Sequence, residues 1–335
     1  MRTHLDGAIR IGIIGSGRIA ERFISEAQQV QGIEVVGVYN PRFPAAREFA
    51  DRHHLEIAAE SEEMLYKGVD AVYIASPHET HFYYIMNALV KGKHVWCEKP
   101  MVLDKQEAEK AFACAKHQGL VLMEAIKTAY CPGFLKVLEV LDSGRIGLIR
   151  DVEGTFTKLS PPGEHWRELS PSPWAGSFTE LGSYPLMAVL SILGDQYESL
   201  RFEHIPGQHG LDLYTKAYFR YTDSLATVKV GLGVKSEGTL VVSGSKGYLK
   251  VVAPWWKTDA FSLYYEDATS RDDFEEEFAG EGLRYGLSWF AAAIQGSQEA
   301  VRLLPSKVSI GIAAIMAAFL KERNGGRRGV GRTNG

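Results

Sequence analysis

The sequence predicts two joined α/β parts: a doubly wound parallel sheet in the N-terminal part, then an α+β part with an open, mostly antiparallel sheet. Three observations predict this. Up to Glu124, short apolar runs alternate with stretches of helical spacing. A Gly-Ser-Gly string stands between the first run and the first helical stretch. Beyond Glu124 the apolar runs follow one another with turn residues, and few helices, between them.

The elements follow in order. Ile9 to Ile14 is an isoleucine-rich run that stops at Gly15, and Ile33 to Tyr39, Asp70 to Ala75, His94 to Cys97 and Leu120 to Met123 repeat the signature. Between them, Ile19 to Val30, Pro44 to His54, His81 to Val90 and Asp104 to His117 carry apolar residues at helical spacing. Strands that are apolar throughout are buried on both faces, and helices between them make βαβ units of a parallel sheet. In the second half, Ile149 to Thr157, Leu200 to His204, Leu213 to Tyr221, Ala226 to Val234, Thr239 to Ser243 and Tyr248 to Val252 read as strands. Tyr221-Thr-Asp-Ser and Ser243-Gly-Ser-Lys-Gly punctuate them, and short turns of this kind join antiparallel neighbours. One helix, Phe178 to Leu193, interrupts the strands, and Leu283 to Gln295 and Ser306 to Arg323 close the chain. The acidic run Asp272 to Glu277 reads as a solvated loop. The expected domains are 1–124 for a dinucleotide, 125–323 for substrate and self-association, and a flexible Gly- and Arg-rich tail over 324–335.

Composition narrows the function classes. The chain has 335 residues, 45% apolar and 23% charged, with a formal net charge of −4. Those values exclude a disordered or collagen-like chain and give no electrostatic reason for a nucleic-acid or anionic-membrane partner. The three cysteines, Cys97, Cys114 and Cys131, are an odd, sparse set that suits a reducing compartment. The first ten residues hold no apolar leader core, and Val308 to Leu320 is too short for a membrane span. The expected location is the cytoplasm.

The string Gly15-Ser16-Gly17-Arg18-Ile19-Ala20 follows the first strand and opens the first helix. In that context it marks a Rossmann-type phosphate cradle. Gly15 permits the tight turn, Gly17 lets backbone approach a pyrophosphate, and the helix N-terminus favours negative charge. The second strand ends at Tyr39-Asn40-Pro41-Arg42, where an acidic residue would select NAD through the ribose hydroxyls. Asn40 is neutral and Arg42 can reach a 2′-phosphate, so the cofactor expected is NAD or NADP, with a lean to NADP. Arg42 reads equally well as a solvated surface residue.

Three more stretches carry a family resemblance: Ser76-Pro77-His78-Glu79-Thr80-His81, Gly92-Lys93-His94-Val95-Trp96-Cys97-Glu98-Lys99-Pro100, and Glu180-Leu181-Gly182-Ser183-Tyr184. With them the chain resembles the glucose–fructose oxidoreductase / inositol dehydrogenase family of NAD(P)-dependent oxidoreductases, from about Ile9 to Arg323. Many members carry Asp-x-x-x-His where this chain has Glu180-x-x-x-Tyr184, and the tyrosine is similar to the branch that holds dimeric dihydrodiol dehydrogenase. His78 stands where members often have Asn. Lys127 stands where the dihydrodiol enzymes resemble one another in a Trp, which argues against an aromatic dihydrodiol substrate.

The resemblance implies hydride transfer between a nicotinamide and a secondary alcohol or ketone of a sugar, cyclic polyol or related diol. It puts Gly15, Gly17, Arg18, Ile19, Asn40, Arg42, Ser76, Pro77, His81, Glu98 and Lys99 at the cofactor. It puts Lys99, Lys127, Trp166, Arg167, Glu180 and Tyr184 at the substrate. A phenol is a poor base, with a reference pKa of ~10, and a nearby ammonium favours its ionised form. Tyr184 is therefore expected as general acid/base, with Lys99 holding the substrate oxygen and Glu180, one helical turn before Tyr184, positioning it. The reverse roles for Lys99 and Tyr184 stay open. So do a packed helix residue for Tyr184 and a plain loop anchor for Trp166. A metal is not expected, because His78-Glu79-Thr80-His81 is one residue short of H-E-x-x-H and lacks a third ligand. The rival class is a dinucleotide-binding sensor or scaffold without turnover. A transcription regulator lacks a helix-turn-helix signal. Expected partners are a small sugar- or polyol-like molecule and a second copy, as homodimer or tetramer.

Overall fold

The computed structural model describes residues 7–159, 169–297 and 304–325. Contacts divide the chain into two compact units. One holds the chain up to Val102, Gln106–Leu135 and Glu277–Ser309. The other holds Leu103–Lys105, Lys136–Glu276 and the chain from Ile310 on.

The elements are β1 (Ile9–Ile14), α1 (Arg18–Ala27), β2 (Ile33–Tyr39), α2 (Phe43–His53), β3 (Ile57–Ala59), α3 (Glu62–Lys67), β4 (Ala71–Ile74), α4 (His81–Val90), β5 (His94–Glu98), α5 (Lys105–Gln118), β6 (Leu122–Ala125), α6 (Pro132–Asp142), β7 (Ile149–Thr157), α7 (Ser177–Leu181), α8 (Ser183–Leu193), β8 (Ser199–Pro206), β9 (Asp212–Arg220), β10 (Leu225–Gly231), β11 (Leu240–Gly244), β12 (Gly247–Val251), β13 (Ala260–Tyr265), β14 (Arg271–Glu275), α9 (Leu283–Ile294) and α10 (Ser306–Gly325).

In the first unit six strands lie in the order β3-β2-β1-β4-β5-β6, every neighbouring pair parallel. The expected doubly wound sheet is there. The reversal of strand order between β1 and β4 opens a crevice at their carboxyl ends, where such sheets bind ligands. β4 is buried at every position, which explains its unbroken apolar run, and β6 is buried throughout as well. On one face, Tyr73 of β4 stacks on Phe23 of α1 with ring centroids 4.0 Å apart, and Trp96 of β5 lies against Phe290 of α9.

The sequence grouped α9 with the second half, yet it packs here. The buried carboxylate of Glu26 on α1 receives the Arg284 guanidinium at 2.7 Å and the N–H groups of Glu281 and Arg284 at 3.1 Å. Burial alone would raise the Glu26 pKa, but these donors prevail and hold it below the usual carboxylate range. β3 and α3 escaped the sequence reading because three and six residues are too few to show a period. β6 extends through Glu124, a buried carboxyl that the apolar pattern excluded.

In the second unit eight strands lie in the order β14-β13-β12-β11-β7-β10-β9-β8. All neighbours are antiparallel except β7 and β10, which run parallel. The acidic run is not a loop over its first part. Arg271–Glu275 forms the edge strand β14, where Phe274 stacks on Phe261 and alternate acidic side chains face solvent. Asp273 pairs with Arg271, and Asp272 accepts from Tyr265. An edge strand carrying such charges resists pairing with another chain. The expected Phe178 to Leu193 helix is split into α7 and α8 around Gly182. Pro185 has no N–H to return to the preceding turn, so the hydrogen-bond ladder breaks there.

One buried ion pair fixes the start of α7. Asp212, fully buried, accepts from the Phe178 N–H and the Ser177 hydroxyl at 2.7 Å and from the Thr215 hydroxyl at 2.8 Å. Its other oxygen meets Arg323 at 2.9 Å, and that guanidinium also holds the Ala175 and Pro173 carbonyls. Among the described residues, no helix is long and apolar enough to cross a membrane. Asp212→Ala leaves Arg323 buried without its counter-ion, and removing one partner of a buried pair costs about 3–5 kcal/mol. Urea unfolding of the variant is expected to show a loss in that range.

Candidate active site

At the mouth of β1 the chain turns at Gly15, whose φ is +103°. A Cβ there would stand 2.6 Å from the Ala75 carbonyl oxygen, so both the conformation and the neighbour require glycine. Gly17 is different. Its φ is −89°, and a Cβ would meet nothing within 4 Å. Nothing in the protein demands glycine at that position. The open space before the N-terminus of α1, which no side chain caps, is what a pyrophosphate needs. The residues present therefore fit a dinucleotide. Arg18 is exposed beside this opening and Ile19 is partly covered.

Asn40 ties the neighbouring loops. Its amide donates to the Ser16 hydroxyl and its carbonyl accepts from the Arg42 N–H, both at 2.9 Å. Arg42 starts α2 with an exposed side chain that takes part in no ion pair with a described residue.

Ser76 and Pro77 follow β4, and the Ser76 hydroxyl is 2.7 Å from that of Thr80. His81 departs from the sequence expectation of a cofactor contact. It is fully buried, with its two ring nitrogens 3.0 Å from the Ser76 and Pro100 carbonyls. Burial holds its pKa below the usual histidine range, although the two carbonyls pull it up. The ring joins two loops and has no surface to offer a ligand.

The segment after β5 carries Lys99 on a cis Lys99-Pro100 bond. Buried Glu98 receives the Tyr73 hydroxyl at 2.6 Å and the Lys99 N–H at 3.3 Å. Burial raises its pKa, and the Lys99 ammonium acts in the opposite direction. Glu124 of β6 receives the Met101 N–H at 3.0 Å. Lys99 itself is half-buried. Lys127, expected at the substrate, has its ammonium 2.8 Å from the Glu281 carbonyl, and its charge is felt at Glu98.

In the second unit Glu180 on α7 and Tyr184 on α8 are both largely buried and one helical turn apart. The Tyr184 ring lies 5.0 Å from Phe156 of β7, which stacks on Trp256 at 3.7 Å and 5°. The sequence reading missed Phe156 and Trp256. The only trace was an aromatic on the inward alternation of β7 and a Trp255-Trp256 pair, of which Trp255 is buried and bonded to the Thr155 carbonyl. Trp166 and Arg167 lie outside the described residues. Among the described residues, no group of three or more His, Cys, Asp or Glu is placed to hold a metal ion.

A glycine cradle on a six-stranded doubly wound sheet, joined to a unit with a large mostly antiparallel sheet, defines a two-part protein built on a dinucleotide-binding fold. Residues 9–126 match the oxidoreductase family with an NAD-binding Rossmann fold, and residues 134–250 match the GFO/IDH/MocA C-terminal domain; the chain belongs to that family. It is 32% identical over 194 residues to scyllo-inositol 2-dehydrogenase (NADP(+)) of Bacillus subtilis (strain 168), across 56% of this chain and 58% of that protein. It thus spans little more than half the length of that relative. It is 30% identical over 258 residues to trans-1,2-dihydrobenzene-1,2-diol dehydrogenase of Sus scrofa, across 74% of this chain and 76% of the other. A solved 3-ketoreductase from Actinomadura kijaniata, in complex with NADP and TDP-benzene, shares 26% identity and superposes with a TM-score of 0.79 over 93% of this chain and 97% of its own.

The two glycines separate under substitution. Gly15→Ala is expected to destabilise the fold by more than ~1 kcal/mol, because the new side chain meets both strain and backbone. Gly17→Ala is expected to unfold as wild type does while weakening NADPH binding about tenfold, the factor for ~1.4 kcal/mol. Thermal unfolding and fluorescence titration with NADPH check the pair.

Proposed function

We propose that the chain transfers a hydride reversibly between NAD(P) and a secondary alcohol or ketone of a sugar, cyclic polyol or related diol. The observation that carries the reading is the segment holding Lys99, fixed by buried side chains at the carboxyl end of β5 in the same unit as the glycine cradle. The named relatives, an inositol dehydrogenase, a dihydrodiol dehydrogenase and a ketoreductase, support the substrate class.

The nicotinamide, when bound, supplies the centre that accepts or gives the hydride. The chain's own residues handle the proton. In the oxidative direction the alcohol O–H bond breaks as its C–H hydride departs, and the Tyr184 side chain takes that proton. In reduction it returns one to the forming alkoxide. Lys99 is the proposed hydrogen-bond donor to the reacting oxygen of the substrate. Glu180, one turn before Tyr184, orients the phenol or a substrate hydroxyl. Phe156, itself stacked on Trp256, packs against the Tyr184 ring and limits its movement.

NADP is the proposed preference. Asn40 puts no negative charge at the end of β2, and the exposed Arg42 guanidinium is available to a 2′-phosphate. Self-association into a homodimer or tetramer is proposed through the open face of the eight-stranded sheet, where the Arg201 guanidinium covers the Tyr218 ring at 4.9 Å. The cytoplasm is the proposed location, supported by Cys97, Cys114 and Cys131 standing outside any disulfide.

A screen of sugars and polyols with NADPH and NADH tests the reading, and failure to oxidise or reduce any of them would leave only a nucleotide-binding shell. With an active substrate, Tyr184→Phe and Lys99→Ala are each expected to lower kcat by at least about 10²-fold while NADPH still binds. Arg42→Ala is expected to raise the Kd for NADPH about tenfold and leave that for NADH unchanged, as loss of one charge-assisted contact requires. Fluorescence titration with each cofactor measures the difference.

A further inference from the structure

Three consecutive residues of the segment that carries Lys99 are each held by a different buried ionisable side chain. Glu98 takes the Lys99 N–H, His81 faces the Pro100 carbonyl, and Glu124 takes the Met101 N–H. The first two are accounted for by the loops they join. Glu124 is not. It stands on β6 directly opposite Cys97 of β5 and is only 2% exposed, and its Oε2 has no hydrogen-bond partner among the described residues. A buried carboxylate is costly, and a fold with no further use for the group would do better with an amide or an apolar side chain.

Its surroundings say what the charge is for. It is faced by the Glu98 carboxyl at the end of β5, which repels it, and by the Lys99 ammonium just beyond, which attracts it. From α10 it is faced by the Ser309 hydroxyl, which favours the charged form. The remaining titratable neighbours are the Cys97 thiol and the Tyr130 phenol, both pushed up by burial and hence neutral; Tyr130 donates to the Glu124 backbone carbonyl. Lys99 is therefore the cation to which this carboxylate answers. The chain also leaves the first unit shortly after each of the residues it touches, after Val102 and after Ser309.

We infer that Glu124 is a positioning residue for Lys99: its carboxylate, by accepting the Met101 N–H, fixes the segment that presents the lysine, and loss of its charge loosens that segment. The inference rests on the reading of Lys99 as a residue that faces substrate. Burial foremost pushes the Glu124 pKa up to about 7, against the pull of Ser309, Met101 and Lys99. A charge-assisted hydrogen bond is roughly twice as strong as a neutral one, so the segment tightens as pH rises through neutrality. The sign for stability is the opposite. A carboxyl whose folded pKa lies above its unfolded value binds more protons in the fold, so ionising it costs stability as pH climbs from the ordinary carboxylate range to beyond 7.

The test compares wild type with Glu124→Gln, which keeps the shape and an acceptor but cannot ionise, and with Glu124→Leu. Hydrogen–deuterium exchange of the peptide spanning residues 99–103, corrected for intrinsic rates, is read between about pH 6 and 8. Acetylation of Lys99 by acetic anhydride is read beside it, normalised to the exposed Lys105 in the same digest. In wild type, protection is expected to rise about tenfold across this range, the factor for ~1.4 kcal/mol, with the Lys99-to-Lys105 labelling ratio moving in step. In Glu124→Gln both readouts are expected to be flat with pH, while the unfolding midpoint gains on wild type as pH rises. Glu124→Leu, if folded, is expected to lose the protection at every pH. A Glu124→Gln profile that follows wild type through neutrality overturns the inference. Full turnover in Lys99→Ala with the exchange results as expected overturns the catalytic reading of Lys99 and leaves the positioning role of Glu124 standing.

Discussion

Where the parallel strands stop, the backbone is still buried, and its polar groups must find partners that the sheet no longer supplies. The rest of the first unit depends on how this constraint is met. At the carboxyl ends of β4 and β5 the partners are side chains. The His81 ring lies between the Ser76 and Pro100 carbonyls, and Glu98 and Glu124 take the N–H groups of Lys99 and Met101. A loop satisfied in this way by groups from neighbouring elements is rigid without being long. The half-buried Lys99 stands on this segment.

The second unit meets an equivalent need with a full ion pair. Asp212 and Arg323 are both buried, and between them they hold the Pro173 and Ala175 carbonyls, the Ser177 hydroxyl and the Phe178 N–H. The close approach leaves no room for a side chain at Gly176, where a Cβ would come within 2.8 Å of the Arg323 guanidinium and closer still to Asp212. The carboxyls beside Lys99 lack so complete a partner, and their pKa values are raised where that of Glu26, facing Arg284, is lowered. The fold thus uses two kinds of buried acid, one for anchoring and one whose ionisation stays open to change.

Much of the fold was legible in the sequence because the parallel strands are apolar throughout and each is followed by a helix. β1, β2, β4 and β5 could be placed almost to the residue on that pattern, and the glycine string located the cradle. The failures share a cause. Glu124 fell outside the expected Leu120 to Met123 strand because a carboxylate breaks an apolar run, yet it is buried inside β6. The acidic residues of β14 looked like a loop because an edge strand with one solvated face needs few apolar residues. α9 looked like part of the second half because sequence distance hides the Glu26–Arg284 tie, which spans 258 positions. In the site, residue types were legible but their commitments were not. His81, Asn40 and Lys127 all read as ligand contacts, and all three turn out to spend hydrogen bonds on the protein's own loops.

The balance of charge around Lys99 follows from those commitments. Two buried carboxyls, Glu98 and Glu124, face one half-buried ammonium and repel each other, so burial disfavours both being ionised together while the lysine favours each. A proton moving onto Glu124 relieves its repulsion with Glu98. The same proton would loosen the Met101 contact. Proton balance and the geometry of the segment are therefore tied to one buried side chain, which gives a fold that could have used glutamine there a reason to carry an acid.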